Sequence, residues 1–260
     1  MSANRLYFIG AGPGAPDLIT LRGLNALKKS KSVFLEDSYK VTFKEFLTQK
    51  ELFIPFDYLF DDITKLIGEL LKKGDVAFLA PGDLTIFSPF QSIVSHFGDI
   101  CTVIPGVGSL NAASSILKKT LDLPKISGSI IITSPRSISK TDFTKEFSDI
   151  MRKDATLVLF MNNMPAEKLK EELLKKYAPE TPVAIMHKIS MPGEKTIITT
   201  VDKLPQDVDD AEFFNIGKME PCMSLVIVGD VITASGGKEF WDYRRINIWD
   251  KRKRDDSSII

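Results

Sequence analysis

The sequence predicts an α/β protein built of two α/β domains, and three observations lead to that prediction. Short apolar runs rich in β-branched and aromatic residues alternate with segments of helical spacing, a pattern typical of parallel βαβ units. Breaks rich in glycine and proline follow several of these runs directly. Two runs in the second half flank Met191-Pro192-Gly193-Glu194, which indicates a hairpin, so we expect a mostly parallel first sheet and a mixed second sheet.

The opening segment predicts one βαβ unit with a glycine loop at its top. Residues 6–9 are a short apolar run and predict a buried strand, which stops where three glycines alternate with alanine and proline over residues 10–14. Glycine lets a ligand approach the main chain closely. Thr20 is the expected N-cap of a helix with leucines at helical spacing, and a second strand is expected over residues 32–36.

This glycine loop also allows a dinucleotide-binding interpretation, because it fits the pattern G-x-G-x-x-A with acidic residues about 20 positions later. The residues that fit are Gly10, Gly12, Ala15, Glu36 and Asp37. Against it, Pro13 and Pro16 carry no N–H, and the expected cap comes only at Thr20, so no helix N-terminus would face a pyrophosphate. We therefore predict a wide, non-helical loop, and a tight turn without any ligand stays open as a third interpretation.

The same patterns continue to residue 228. Further strands are predicted at residues 52–56, 76–80, 102–104, 129–133, 156–160, 183–187, 196–201 and 224–228, and further helices at residues 43–47, 63–74, 87–97, 109–117 and 165–176. Asp61 or Asp62 is the expected N-cap of the helix that ends at Gly74. Pro124 and Ser127-Gly128 interrupt the pattern, so we place a linker at residues 121–128. The predicted domains are residues 1–122 and residues 123–236, followed by a polar tail at residues 237–260.

Composition narrows the class of protein. Lys and Arg together number 34, as do Asp and Glu, so no net field favours nucleic acid or an anionic membrane, and we expect neither as a partner. No apolar run reaches membrane-spanning length, and the sequence shows no signal peptide. Cys101 and Cys222 are isolated in apolar surroundings, which predicts buried, reduced thiols and a cytoplasmic protein.

Three breaks follow first-unit strands directly, at residues 10–14, 81–83 and 105–108, and Asp37 follows the second strand. Ligands of parallel sheets collect beyond the carboxyl ends of the strands. We therefore expect all three loops and Asp37 at one edge of the first domain, where the second domain could close over them.

Several motifs, taken in their order along the chain, resemble those of a known family. The motifs are Gly10-Ala11-Gly12-Pro13-Gly14 with Leu18-Ile19-Thr20, Leu35-Glu36-Asp37-Ser38, Gly82-Asp83, Val103-Ile104-Pro105-Gly106-Val107, Pro182-Val183-Ala184, and Ser224-Leu225-Val226-Ile227-Val228-Gly229. In this order, over residues 6 to about 230, the chain resembles the tetrapyrrole (corrin and porphyrin) methylases, which use S-adenosylmethionine. The opening, together with residues 182–190 and Pro192-Gly193-Glu194-Lys195, most resembles the branch of precorrin-4 C11-methyltransferases.

The resemblance implies a cleft between the two domains that holds S-adenosylmethionine, and no metal site. Carried over by position, the cofactor contacts are Pro13, Pro81, Gly82, Asp83, Ile86, Gly108, Ser109, Met161 and Ile189. Two of these also have a purely structural interpretation: Met161 as a core methionine, and Asp83 as a turn residue that caps the helix at residues 87–97. Asp37 matches a position assigned as proton acceptor in related uroporphyrinogen methylases, and it also suits an ordinary strand-end turn.

The implied substrate is a tetrapyrrole of corrin biosynthesis, and the implied assembly is a homodimer. Since the macrocycle carries many carboxylates, cations should line the outer cleft, and Arg136 and Lys188 are the candidates; both also suit a solvated surface. Ala15, Leu84 and Gly108 depart from the family pattern and open the question of the substrate. A diphthine synthase, a peptide-backbone methylase and a protein that only binds its ligand are the alternatives. Residues 20–24 and 34–36 resemble the diphthine synthase opening, whereas residues 105–107 fit that enzyme poorly.

Overall fold

The first half of the chain forms an α/β unit around one parallel sheet. The computed structural model describes residues 4–135, 146–218, 222–250 and 252. The elements of this unit are β1 (Leu6–Gly10), α1 (Leu21–Lys29), β2 (Ser32–Phe34), α2 (Asp37–Thr42), β3 (Glu51–Phe53), α3 (Phe60–Leu71), β4 (Val76–Ala80), α4 (Gln91–Phe97), β5 (Cys101–Ile104) and α5 (Ser109–Leu117).

The first sheet has the strand order β3-β2-β4-β1-β5, and every strand pair in it is parallel. All five residues of β4 are buried, as expected for a central strand covered on both faces. Phe78 in β4 stacks on Phe8 in β1 and on Phe34 in β2, with ring centroids 4.5 and 4.4 Å apart. These stacked rings hold the three central strands together. Because the strands are parallel, their carboxyl ends share one edge. The prediction of a mostly parallel first sheet is confirmed.

The second half forms a mixed sheet. Its elements are β6 (Ser129–Thr133), β7 (Ala155–Phe160), α6 (Ala166–Leu174), β8 (Pro182–His187), β9 (Lys195–Thr200), α7 (Leu204–Asp207), α8 (Asp210–Phe213) and β10 (Ser224–Val228). The order is β6-β7-β10-β8-β9, with β6 parallel to β7 and all other pairs antiparallel. The hairpin of β8 and β9 and the mixed sheet are both confirmed.

Between the sheets, the chain makes a small hydrogen-bonded turn. The Leu123 N–H donates to the Ser127 carbonyl at 3.0 Å, and the Thr156 hydroxyl donates to the Leu121 carbonyl at 2.6 Å. The predicted linker is therefore bound to the second unit. The domain boundaries at residues 122 and 236 stay a prediction. Beyond them, α9 (Lys238–Arg244) continues into a π-helical segment, Arg245–Trp249.

Several predicted element boundaries are wrong. Residues 37–42 form a helix, where we had expected a helix only at 43–47, and β2 ends at Phe34. Helix α3 begins at Phe60 without a side-chain cap, so Asp61 and Asp62 lie in its first turn, where carboxylates favour the helix dipole. Helix α4 begins at Gln91 and not at Phe87, because Phe87 has a left-handed φ of 56° that an α-helix cannot include.

Cys101 and Cys222 are both free thiols, as predicted, but each is only partly buried. Within the described ranges, no helix is both long and apolar enough to cross a bilayer.

Candidate active site

The three glycine loops meet at the carboxyl edge of the first sheet. Gly12 and Gly82 form an antiparallel bridge, in which each N–H donates to the other carbonyl at 3.1 and 2.9 Å. The buried hydroxyl of Tyr39 also donates to the Gly12 carbonyl at 3.0 Å. Helix α1 begins only at Leu21, after Thr20, whose side chain accepts the Gly23 N–H at 3.1 Å. The loop at residues 10–14 is therefore non-helical, as predicted; a single 3₁₀ turn at Pro16–Leu18 follows it, and the first α-helix begins only at Leu21.

The third loop approaches the other two so closely that side chains would collide. A Cβ on Gly106 would lie 2.4 Å from the Gly82 carbonyl oxygen and 2.5 Å from the Gly10 carbonyl oxygen. A Cβ on Gly10 would lie 2.5 Å from the Gly106 nitrogen. Since these contacts are to backbone atoms, no rotamer change could relieve them. Glycine at these positions is what allows the loops to form one surface.

Asp83 connects the second loop to the third. Its Oδ2 accepts the Gly106 N–H at 2.9 Å, and its Oδ1 accepts the Thr85 N–H at 2.8 Å. Burial raises the pKa of this carboxyl, but the hydrogen bonds from Thr85, Gly106 and Leu84 outweigh it and hold the pKa below its usual value. The expectation that Asp83 caps a helix starting at Phe87 is wrong, because α4 begins at Gln91.

The second unit covers this edge and touches the first loop. The Ala15 N–H donates to Ser190 Oγ at 3.0 Å. A Cβ on Gly14 would lie 2.2 Å from Met191 Cγ and 3.1 Å from the Ile189 carbonyl oxygen. The units also meet at the rings of Phe87 and Phe160, whose centroids are 5.4 Å apart. The two units therefore enclose a cleft and contact each other at residues that line it or lie beside it.

The cleft has a volume of about 490 Å³, within the range of roughly 300–1,000 Å³ that small-molecule sites occupy. All nine residues that the resemblance assigns to the cofactor line it, and so does Lys188. Its wall is mostly apolar, with Met161, Ile189 and Leu225 from the second unit. Met161 is partly exposed here, which makes it a wall residue and not a member of the packed core.

Backbone donors line the same cleft. Helix α5 begins after Gly108, which provides no side-chain cap, and its first residues, Ser109, Leu110 and Asn111, all line the cleft. The first N–H groups of a helix have no acceptor within the helix and favour a negatively charged or hydroxyl group. An apolar wall facing free amide donors suits a ligand with one apolar part and one carboxylate or ribose part.

Like its neighbour Glu36, Asp37 does not line the cleft. Its side chain is 80% exposed and forms an ion pair with Lys40 at 2.7 Å within α2. Its neighbour Glu36 is half-buried, makes no capping hydrogen bond to α2, and has a pKa raised by burial. Burial and the charge of Glu36 together raise the pKa of Tyr39, whose hydroxyl reaches the first glycine loop. Glu36 is thus the acid more closely coupled to the loops, a distinction that the adjacent sequence positions did not reveal.

Of the two predicted substrate cations, Arg136 lies outside the described residues. Lys188 lies in the cleft wall, half-buried, with a left-handed φ of 51°. Next to it, Nδ1 of buried His187 lies 2.9 Å from Ser224 Oγ. Burial lowers the pKa of His187, and the charge of Lys188 lowers it further. The second unit therefore brings positive charge to this wall.

Sequence reasoning missed the wall formed by the start of β10. Residues 222–225 line the cleft, although they lie at the amino end of a strand and not beyond its carboxyl end. The register explains this: β10 runs antiparallel, with Leu225 opposite Phe160 and Ser224 opposite His187, so its amino end lies where β7 and β8 end. Whether a strand runs parallel or antiparallel depends on the strands it pairs with. The sequence of residues 222–228 does not contain that information.

The parallel sheet, the joined glycine loops and the covering mixed unit define a two-domain α/β protein with a cofactor-sized cleft. The family model of the Tetrapyrrole (Corrin/Porphyrin) Methylases matches residues 5–205. The chain therefore belongs to this family and is a methyltransferase, which confirms the resemblance.

Individual proteins agree with this assignment. The precorrin-4 C(11)-methyltransferase of Pseudomonas aeruginosa is 27% identical over 244 residues, which cover 92% of this chain and 95% of that protein. The X-ray structure of a cobalt precorrin-4 methyltransferase, a cobalamin biosynthetic enzyme, matches with a TM-score of 0.75 at 24% identity, over 88% of this chain and 96% of that one. A uroporphyrin-III C-methyltransferase of Thermus thermophilus, complexed with S-adenosylhomocysteine, matches with a TM-score of 0.64 at 23% identity, over 91% and 96% of the chains. Both structural likenesses concern the fold.

Proposed function

We propose that this protein transfers a methyl group from S-adenosylmethionine to C11 of precorrin-4 or cobalt-precorrin-4. The observation that carries the proposal is the convergence of the nine family-assigned positions on one cleft between the units. The relative from Pseudomonas aeruginosa bears the name of this reaction.

The cleft residues fit the cofactor. The glycine loops bring backbone within reach of a ligand, the first amide groups of α5 offer donors for a carboxylate or hydroxyl, and the methionine- and isoleucine-rich wall suits a thioether chain and a flat base. When bound, S-adenosylmethionine supplies a methyl group activated by a sulfonium. The protein's own contribution is to orient the substrate carbon in line with that group and to exclude water.

A proton must leave the macrocycle as the new carbon–carbon bond forms and the carbon–sulfur bond breaks. An acid at the carboxyl end of β2 is the candidate acceptor. We keep Asp37 as the family-assigned candidate and add Glu36, because Glu36 is half-buried and coupled to Tyr39, whereas Asp37 is exposed and paired with Lys40.

The decisive experiment is calorimetric titration of the protein with S-adenosylhomocysteine and, separately, with NAD. We expect a stoichiometric complex with S-adenosylhomocysteine and none with NAD. Incubation with methyl-labelled S-adenosylmethionine and cobalt-precorrin-4 should then transfer label to the macrocycle. Binding of NAD alone would contradict the proposal. If the protein binds the cofactor but methylates only a peptide or diphthamide, its substrate is not a tetrapyrrole. If it binds the cofactor and transfers no methyl group, it is a binding protein.

The proposal includes a homodimer located in the cytoplasm. Zero net charge removes the repulsion that would oppose self-association. Phe56, Leu59 and Phe60 are 65%, 79% and 43% exposed on the first unit and offer an apolar surface for a partner. Light scattering at micromolar concentration should give twice the mass of one chain, and a mass of 29.0 kDa would contradict the dimer.

A further inference from the structure

Two phenylalanines meet across the cleft, one from each unit. Phe87 comes from the loop between β4 and α4, and Phe160 is the last residue of β7. Their ring centroids are 5.4 Å apart, with the ring planes at 50°, and both residues line the cleft. This contact joins the two units in addition to the hydrogen bond from Ala15 to Ser190.

A left-handed backbone conformation occurs at Phe87 itself and at the residue that follows Phe160. Phe87 has a φ of 56°, and Met161, directly after Phe160, has a φ of 50°. A bulky residue with positive φ is an outlier, and such conformations persist where the surroundings impose them, most often at binding sites. Phe87 is nevertheless 39% exposed, so its position does not serve burial in a core. A large apolar ring held in a disfavoured conformation and left partly in water suggests a ligand contact.

Size and position indicate which ligand. Ile86 and Met161, the neighbours of the two rings, are predicted cofactor contacts, and a cleft of about 490 Å³ is of cofactor size. A macrocycle of four pyrroles with peripheral carboxylates is much larger than a nucleoside, so it must extend beyond that volume to the exposed rim. Phe87 is partly exposed in the cleft wall and offers an apolar ring, against which the individual rings of the macrocycle can pack.

We propose that Phe87 and Phe160 form an aromatic wall of the cleft that the macrocycle contacts, and that this contact contributes to the choice of substrate. The proposal rests on the function proposed above. Lys188, in the wall of the same cleft, adds a cation for a peripheral carboxylate. The two kinds of residue then recognise different parts of the substrate. The aromatic pair contacts the rings of the macrocycle, and the lysine contacts a carboxylate at its edge.

The test uses variants of Phe87 that separate the ring from the backbone. Phe87→Asn removes the ring but tolerates a left-handed φ, and Phe87→Tyr keeps the ring. Uroporphyrin III, an octacarboxylate macrocycle, is titrated by absorbance, and S-adenosylhomocysteine by calorimetry. We expect Phe87→Asn and Phe160→Leu to weaken uroporphyrin binding about five- to tenfold, Phe87→Tyr to retain it, and all three to keep the affinity for S-adenosylhomocysteine.

Trp241→Leu is the control, because Trp241 is an aromatic residue of α9 that is 75% exposed and does not line the cleft. If the wild type binds uroporphyrin and Phe87→Asn and Phe160→Leu bind it equally well, the aromatic wall is refuted. An equal loss for both ligands would also overturn it, since the rings would then support the cleft as a whole. A wild type that binds S-adenosylhomocysteine but not uroporphyrin would overturn the aromatic wall, whereas methyl transfer to cobalt-precorrin-4 tests the proposed substrate separately.

Discussion

The carboxylate of Asp83 and the backbone N–H of Gly106 are joined by a 2.9 Å hydrogen bond between the second and third glycine loops. The other carboxylate oxygen accepts the Thr85 N–H at 2.8 Å, so one side chain fixes its own turn and the neighbouring loop. Because Gly12 and Gly82 bridge the first and second loops, all three loops form one hydrogen-bonded surface under the cleft. The shape of that surface depends on Asp83.

We expect Asp83→Ala to weaken binding of S-adenosylhomocysteine at least tenfold. The substitution removes two hydrogen bonds to a charged acceptor, each worth about 1.5–3 kcal/mol, and frees the third loop to move. Isothermal calorimetry measures the affinity. Asp62→Ala is the control, because Asp62 lies in the first turn of α3. An affinity equal to that of the wild type would mean that the glycine loops keep their arrangement without this side chain.

Gly106 and Gly108 give a matched pair of substitutions. Gly106→Ala would place a Cβ 2.4 Å from the Gly82 carbonyl oxygen, whereas at Gly108 the nearest atom would be Asn111 Oδ1 at 3.3 Å. Overpacking against a rigid neighbour costs about 1–3 kcal/mol or more. Urea unfolding should therefore show a loss of that size for Gly106→Ala and a smaller one for Gly108→Ala. Equal losses would show that close backbone approach is not what requires glycine at position 106.

Local signals explain the features that the sequence predicted well. The Thr20 cap depends on a hydrogen bond to Gly23, three residues away, and the glycine loops depend on conformations that only a residue without Cβ allows. Such features depend on residues that are close in sequence, so they can be predicted from it. The parallel sheet then brings the loops to one edge. The nine cofactor positions were expected from the family resemblance alone, and all nine line the cleft.

Other features depend on contacts between distant segments. Phe87 has a helical sequence context, but it is left-handed, and its ring meets Phe160, far along the chain. The start of β10 lines the cleft only because the strand runs antiparallel between β7 and β8. Glu36 and Asp37 are adjacent acids, and their burial differs because α2 begins at Asp37. No window of sequence contains these relationships.

The roles of Glu36 and Asp37 can be separated by isosteric amides. If Glu36 is the proton acceptor, Glu36→Gln should slow turnover about 100-fold or more and leave affinity for S-adenosylhomocysteine unchanged, because general-base catalysis contributes about 10²–10⁴-fold. Asp37→Asn should then be nearly silent. Since burial raises the pKa of Glu36, the wild-type rate should rise with pH through that elevated pKa as the carboxylate forms. If Asp37→Asn slows turnover and Glu36→Gln does not, the base is Asp37, the residue that the family resemblance implies.

Lys188 tests the polyanionic substrate. It is a half-buried cation of the cleft wall, and within the described ranges no ion pair to it is seen. Lys188→Ala should weaken uroporphyrin binding about tenfold and spare S-adenosylhomocysteine, and the loss should shrink as salt rises because ion pairs are screened. Lys40→Ala, a cation already paired with Asp37, serves as the control. A salt-independent loss would indicate a packing role for the lysine stem.

Stability should depend on pH through His187, and the chain supplies its own control because it contains only two histidines. Burial, and then the charge of Lys188, lowers the pKa of His187 below its usual 6.5, whereas His96 is exposed on α4. Between the lowered folded-state pKa and 6.5, the unfolded chain binds more protons than the folded one, so the free energy of unfolding falls as pH falls through this window. We therefore expect His187→Gln, measured by urea unfolding at pH 5 and pH 7.5, to lose less stability on acidification than the wild type. His96→Gln should lose as much as the wild type, because His96 is exposed on α4 and its replacement leaves His187 in place. An equal pH dependence in all three proteins would show that protonation of His187 does not lower the free energy of unfolding.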